Sequence, residues 1–180
     1  MARLSQRFSY FYHLLTIAVL LLPSGVFAAD SVTIGPEKLL QTGQELAEKT
    51  HYLEALDLLE EARNILENNG SPQGAIYADV LFALAQTKIK GRLHQDFSAH
   101  YVKTALQDIQ AANKLRERLS DIVPQRLAEG YYLEGYIQKR FFMRTNQALA
   151  CFSKAVNIDP GLAAAKREKI ELELILQESK

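Results

Sequence analysis

The sequence predicts an all-α protein of three helical hairpins followed by a single C-terminal capping helix. Apolar residues recur at intervals of three and four along most of the chain, which is the period of one helix face. Prolines stand where helices should open, at Pro36, Pro72, Pro124 and Pro160, and Gly, Asn or Asp clusters separate the periodic runs. One segment alone alternates like a strand, Ile170 to Leu176. Its flanks, 163–168 and Gln177 with Glu178, are strong helix formers, and an isolated strand would have nothing to pair with.

Helix one is expected from Pro36 to about Thr50, with Leu39, Leu40, Leu46 and Ala47 at helical spacing. The second, 52–68, carries Ala55, Leu58, Leu59, Ala62, Ile65 and Leu66 on one stripe and its acids largely on the others, and Asn68, Asn69 and Gly70 stop it. In the third, Ser71 caps, Pro72 opens and Gly91 closes. A longer fourth helix, about 96–121, follows from Tyr101, Ala105, Ile109, Ala112, Leu115, Leu119 and Ile122. Pro124 opens the fifth, to about Arg140; the sixth covers 145–158; Asp159 and Pro160 start the seventh.

Before these helices lies an address. Arg3 and Arg7 precede a nine-residue apolar run, 14–22, and Pro23, Ser24 and Gly25 break it, in the pattern of a secretory signal peptide. The run is far shorter than the ~20 residues of a membrane span. Val26 and Ala28 supply the small side chains of a cleavage site, so residues 1–28 are read as signal peptide, cut after Ala28, 29–36 as a flexible arm and 37–180 as the folded domain. The expected compartment is periplasmic or extracellular. Neither a cysteine for lipid attachment nor a twin-arginine pair accompanies the run, so no stable membrane anchor is expected after cleavage.

The chain has 180 residues, 48% hydrophobic and 23% charged, with 21 basic and 21 acidic side chains, so no positive field draws it to nucleic acid. Cleavage would remove two arginines and no acid and leave the domain mildly acidic. The lone Cys151 has no partner for a disulfide and sits in an apolar helical stretch, which suits a buried structural thiol.

The intervals between the four prolines are 36, 52 and 36 residues, and the two matching units share internal spacing. Gly43 is followed by Ala55, Leu59 and Ala62; Gly135 is followed by Ala148, Phe152 and Ala155. Small residues let two helix axes approach while the larger one fills the groove between them. On these residues, with Tyr131 and the Asn157-Ile158-Asp159-Pro160 exit, the chain resembles a tetratricopeptide repeat protein, most clearly over 127–160 and again over 39–67. The stretch 75–121 has Leu84 and Ala85 where the family has Leu-Gly, but its interval is longer and its second helix departs from the pattern. Glu134 and Gln138 stand where the family prefers Leu and an aromatic, and one extra residue separates Gly135 from Ala148.

The resemblance implies a right-handed superhelix whose first helices line a concave groove, placing Leu40, Gln44, Phe82, Gln86, Tyr132, Tyr136 and Lys139 along it. Tyr132 and Tyr136 offer large contact areas at small entropic cost for a protein or peptide partner, unless they pack between helices. The family's clamp for acidic C-terminal peptides needs Lys and Asn at positions held here by Leu40, Gln44, Phe82 and Gln86, so that specificity is not expected. A plain antiparallel bundle would show similar alanine and leucine spacing and is the competing architecture.

Catalysis is not expected. The sequence lacks a nucleophile elbow, a His-Glu-x-x-His zinc motif, a phosphate-binding glycine loop and a Cys-x-x-Cys pair, and no cofactor or metal is implied. A hydrolase or metalloenzyme would need His94, His100 and a distant carboxylate to converge; the alternative, a helical small-molecule-binding accessory protein of a transport system, would need Phe82, Tyr132 and Tyr136 to surround a pocket rather than a groove. The reading favoured is an exported adaptor of a cell-envelope assembly. In the last helix Leu172, Ile175 and Leu176 point one way and Ile170 and Leu174 nearly the other, so one stripe is expected to meet a partner or a second copy.

Overall fold

A computed structural model describes residues 34–178. The expected signal peptide, its expected cleavage after Ala28 and most of the expected arm fall outside them. Among the described residues the chain is all-helical: α1 (Pro36–Glu48), α2 (Tyr52–Asn68), α3 (Ala75–Leu93), α4 (Ala99–Arg116), α5 (Pro124–Phe142), α6 (Thr145–Ile158) and α7 (Ala163–Glu178). The 170–176 segment is helix throughout, so the context of strong helix formers overrides its local alternation.

Each helix packs on the one before it and the one after it. Beyond that, α1 touches α3 and α3 touches α5. The first helices of the three pairs therefore lie side by side. A continuous core joins α1 to α5, with Leu59, Val80, Leu84, Ile109 and Ile137 wholly inaccessible in it, and smaller clusters hold the C-terminal part together. One of these packs Tyr131 against Ala155 and Ala165, the other Ala148 and Phe152 against Leu172.

The pair contacts repeat at the level of atoms. A Cβ on Gly43 would stand 2.8 Å from Leu59 Cγ, and one on Gly135 would stand 2.7 Å from Phe152 Cε1, so both helix pairs close on a glycine with a large side chain laid across it. Ala55, Leu59 and Ala62 have no exposed surface, nor do Ala148, Phe152 and Ala155. The middle pair shares part of this pattern. Ala105, Ile109 and Ala112 of α4 carry the same spacing and are equally inaccessible, although 20 residues rather than 12 or 13 separate them from the small residue of the preceding helix, Ala85. Ala148→Leu and Ala155→Leu should each cost ~1–3 kcal/mol by overpacking these contacts, whereas Lys166→Leu on an exposed face should change stability by less than about 0.5 kcal/mol. Urea denaturation of the three variants compares them directly.

Several helix ends differ from expectation, for identifiable reasons. Pro72 lies in a turn and α3 starts at Ala75, behind an extended Gly74. Gly91 does not close α3: it is buried inside it, where the Phe97 ring lies so close that a Cβ would come within 2.5 Å. The helix stops two residues later, with Gln95 left-handed (φ 67°) and the Asp96 amide donating to the Gly91 carbonyl at 2.9 Å. α1 ends similarly, with Thr50 left-handed and His51 N–H bonded to Leu46 O at 3.0 Å, and Met143 (φ 54°) ends α5. α4 spans 99–116 rather than 96–121, and α7 opens at Ala163, with Pro160 in the preceding turn.

Candidate partner-binding face

Because α1, α3 and α5 are neighbours, Leu40 and Gln44, Phe82 and Gln86, and Tyr132, Tyr136 and Lys139 stand on three adjacent helices. Their availability differs. Gln44 is exposed, and Gln86 is half-buried. Leu40, Phe82 and Tyr136 are half-buried against the main core.

Phe82 lies under a cation. The Arg116 guanidinium sits 4.8 Å from its ring centroid, donates to Asp79 Oδ1 at 2.8 Å and to the Arg126 carbonyl at 2.7 Å, and is itself almost wholly buried. Arg126 pairs with the other oxygen of Asp79, so the end of α4 is tied to α3 and to the first turn of α5. α4 ends at this knot, at Arg116. A regular continuation is replaced by turns whose amides reach back, Leu119 N–H to Arg116 O at 3.2 Å among them.

Tyr132 packs on Phe152, ring centroids 5.9 Å apart, and burial raises its hydroxyl pKa. Much of its ring therefore serves the α5–α6–α7 contact. Tyr136 stacks edge-on to Phe141 and borders an open cleft of about 600 Å³ that it shares with Met143, Leu172 and Ile175. Lys139 reaches from α5 to α7, 2.8 Å from both Glu168 and Glu171. Burial alone would lower its pKa, but the two hydrogen bonds outweigh that and raise it. Its charge is thus already compensated within the chain.

On the other side of α5, Glu134 gathers amides: Asn113 Nδ2 donates to it at 2.9 Å and Gln110 Nε2 at 3.0 Å. Tyr131 donates to Glu117 and carries Lys154 over its ring, 4.6 Å from the centroid. Burial pushes the half-buried Cys151 thiol up to about 12, with the Glu134 carboxylate adding to the shift, so this cysteine is a poor nucleophile. The sequence reads as a buried structural thiol; the side chain is half-buried rather than buried.

The three described histidines make local contacts. His51 Nδ1 lies 2.7 Å from Glu54 Oε2, His94 tilts against Tyr52 with centroids 5.3 Å apart, and His100 meets Tyr101 edge-on. Among the described residues no group of three His, Cys, Asp or Glu is placed to hold a metal ion, and no helix is long and apolar enough to cross a membrane.

A buried charge cluster escaped the sequence reading. Lys88 on α3, only 4% exposed, lies 2.6 Å from Asp108 on α4 and 3.4 Å from Glu60 on α2, and Arg63 pairs with Glu60 beside them. Three helices from two successive pairs are cross-linked there. In the sequence Lys88 is one of two lysines on α3, with its partners 20 and 28 residues away, so nothing marks it.

No protein-family model matches the chain, and comparison with curated proteins finds no match. What the fold and this face define is a class, an all-helical protein of serially packed helix pairs.

Proposed function

We propose that the protein is an exported, tetratricopeptide-like adaptor that binds a protein or peptide through the face formed by α1, α3 and α5, in a periplasmic or extracellular cell-envelope assembly. It performs no catalysis and takes no cofactor in this reading. One observation carries it: three second helices, each packed on its first helix, carry an inaccessible triplet of the same spacing, Ala55-Leu59-Ala62, Ala105-Ile109-Ala112 and Ala148-Phe152-Ala155. A repeated contact of this kind makes the pairs alike, and stacking of like pairs is how a solenoid acquires a curve and a hollow side. The serial order of contacts supports the same reading, since a closed bundle would bring its first and last helices together.

A photocrosslinking amino acid placed at Gln44 or Gln86 in the living cell tests it. The same defined envelope protein should be captured from both positions, and not from Glu61 on the exposed side of α2. Capture from Glu61 alone, or from none of the three, removes the groove reading. Release of the protein by osmotic shock, with residue 29 at its N-terminus, tests the address.

A further inference from the structure

The outer side of α7 carries a second surface. Leu172 is buried against Phe152, and Ala165 against Tyr131 and Ala155, so these residues fix the inner face of the helix. At 100° per residue the opposite face is centred on Ile170 and Leu174. They are 49% and 55% exposed. Exposed Ala163, Arg167 and Gln177 extend this face, with intervals of four, three, four and three residues, the spacing of a coiled-coil seam. The surface is therefore shaped for another helix rather than for an extended peptide.

Charge selects which helix, and its direction. If a second α7 lies antiparallel with its Leu174 opposite Ile170, then Arg167 of each copy stands beside Glu178 of the other, twice by symmetry. A parallel pair would set Arg167 against Arg167. Both Arg167 and Glu178 are exposed and make no ion pair among the described residues. The two acids nearest the proposed axis are already neutralised within their own chain, Glu171 by Lys139 at 2.8 Å and Glu173 by Lys169 at 3.0 Å.

We infer that the protein forms an antiparallel homodimer through α7, with Ile170 and Leu174 at its centre and two Arg167–Glu178 pairs at its ends. The pairing is separate from the α1–α3–α5 face and does not depend on what that face binds. It would place two binding faces in one particle, related by a two-fold axis.

Sedimentation velocity over a concentration series of the natively processed protein tests the inference. A reversible monomer–dimer equilibrium is expected, and Leu174→Arg should abolish the dimer while leaving the helical circular dichroism unchanged, since the residue is exposed in the monomer. Arg167→Glu and Glu178→Arg should each weaken dimerisation by about tenfold, and the double variant should return to within about threefold of the original. A monomer at every concentration overturns the inference, whether the face is left bare or covered by another protein or another segment of this chain. A dimer indifferent to Leu174→Arg, or a double variant no tighter than the singles, overturns it equally.

Discussion

Lys88→Met should destabilise the protein by about 3–5 kcal/mol, and adding Asp108→Leu to it should recover most of that loss. The side chains meet at 2.6 Å with Lys88 and Asp108 both buried. Removing the ammonium leaves a carboxylate in a poorly solvated site with its partner gone, whereas removing both leaves an apolar contact of similar volume. Burial already holds the Asp108 carboxyl above the usual aspartate range, outweighing the lysine beside it. Without Lys88 its pKa must rise further. A group whose folded pKa lies above its unfolded value stabilises the fold below the unfolded value and loses that contribution as pH rises through the folded one. The gap between Lys88→Met and the original protein should therefore narrow as pH falls from 7 towards about 4, where the orphaned carboxyl takes up a proton. Urea titrations at the two pH values measure it. A gap that does not change with pH would mean that Asp108 is not the group left stranded.

That cluster marks the boundary of what the sequence discloses. The seven helices are legible because burying one face imposes a period on the apolar residues, and the period survives in the chain as written. The helix stops are less legible, because three of the left-handed closing residues are Thr50, Gln95 and Met143, none of which announces a turn. Gly91 misleads for the converse reason: its missing side chain makes room for Phe97 instead of ending a helix. The Ala105-Ile109-Ala112 triplet is plainly written but stands behind a longer interval, since α3 runs on to Leu93 and the loop folds back to seat Phe97. On the candidate face the same limit appears. Position on a helix is readable, but whether Lys139 is free or bound depends on Glu168 and Glu171, about 30 residues further along.

Phe152→Ala should cost about 3–5 kcal/mol, since the side chain has no exposed surface and its removal opens a cavity that backbone cannot readily fill. Where the loss is felt matters more than its size. The ring lies across Gly135 of α5, touches Tyr132 and supports Leu172 of α7, so it holds three consecutive helices together. In a serial stack each pair is coupled only to its neighbours, and damage at one end should spread by successive, weakening steps. Hydrogen exchange on the variant should therefore show protection falling in α5, α6 and α7 while α1 and α2 keep most of theirs. Leu59→Ala, at the equivalent place in the first pair, should give the mirror pattern, with α1 and α2 losing protection and α6 and α7 retaining it. In a closed bundle sharing one cooperative core, both substitutions would lower protection in all the helices together. Uniform loss in both variants would remove the serial coupling on which the curved, groove-forming reading rests; opposite gradients would show that the two ends of the chain carry equivalent, locally coupled units.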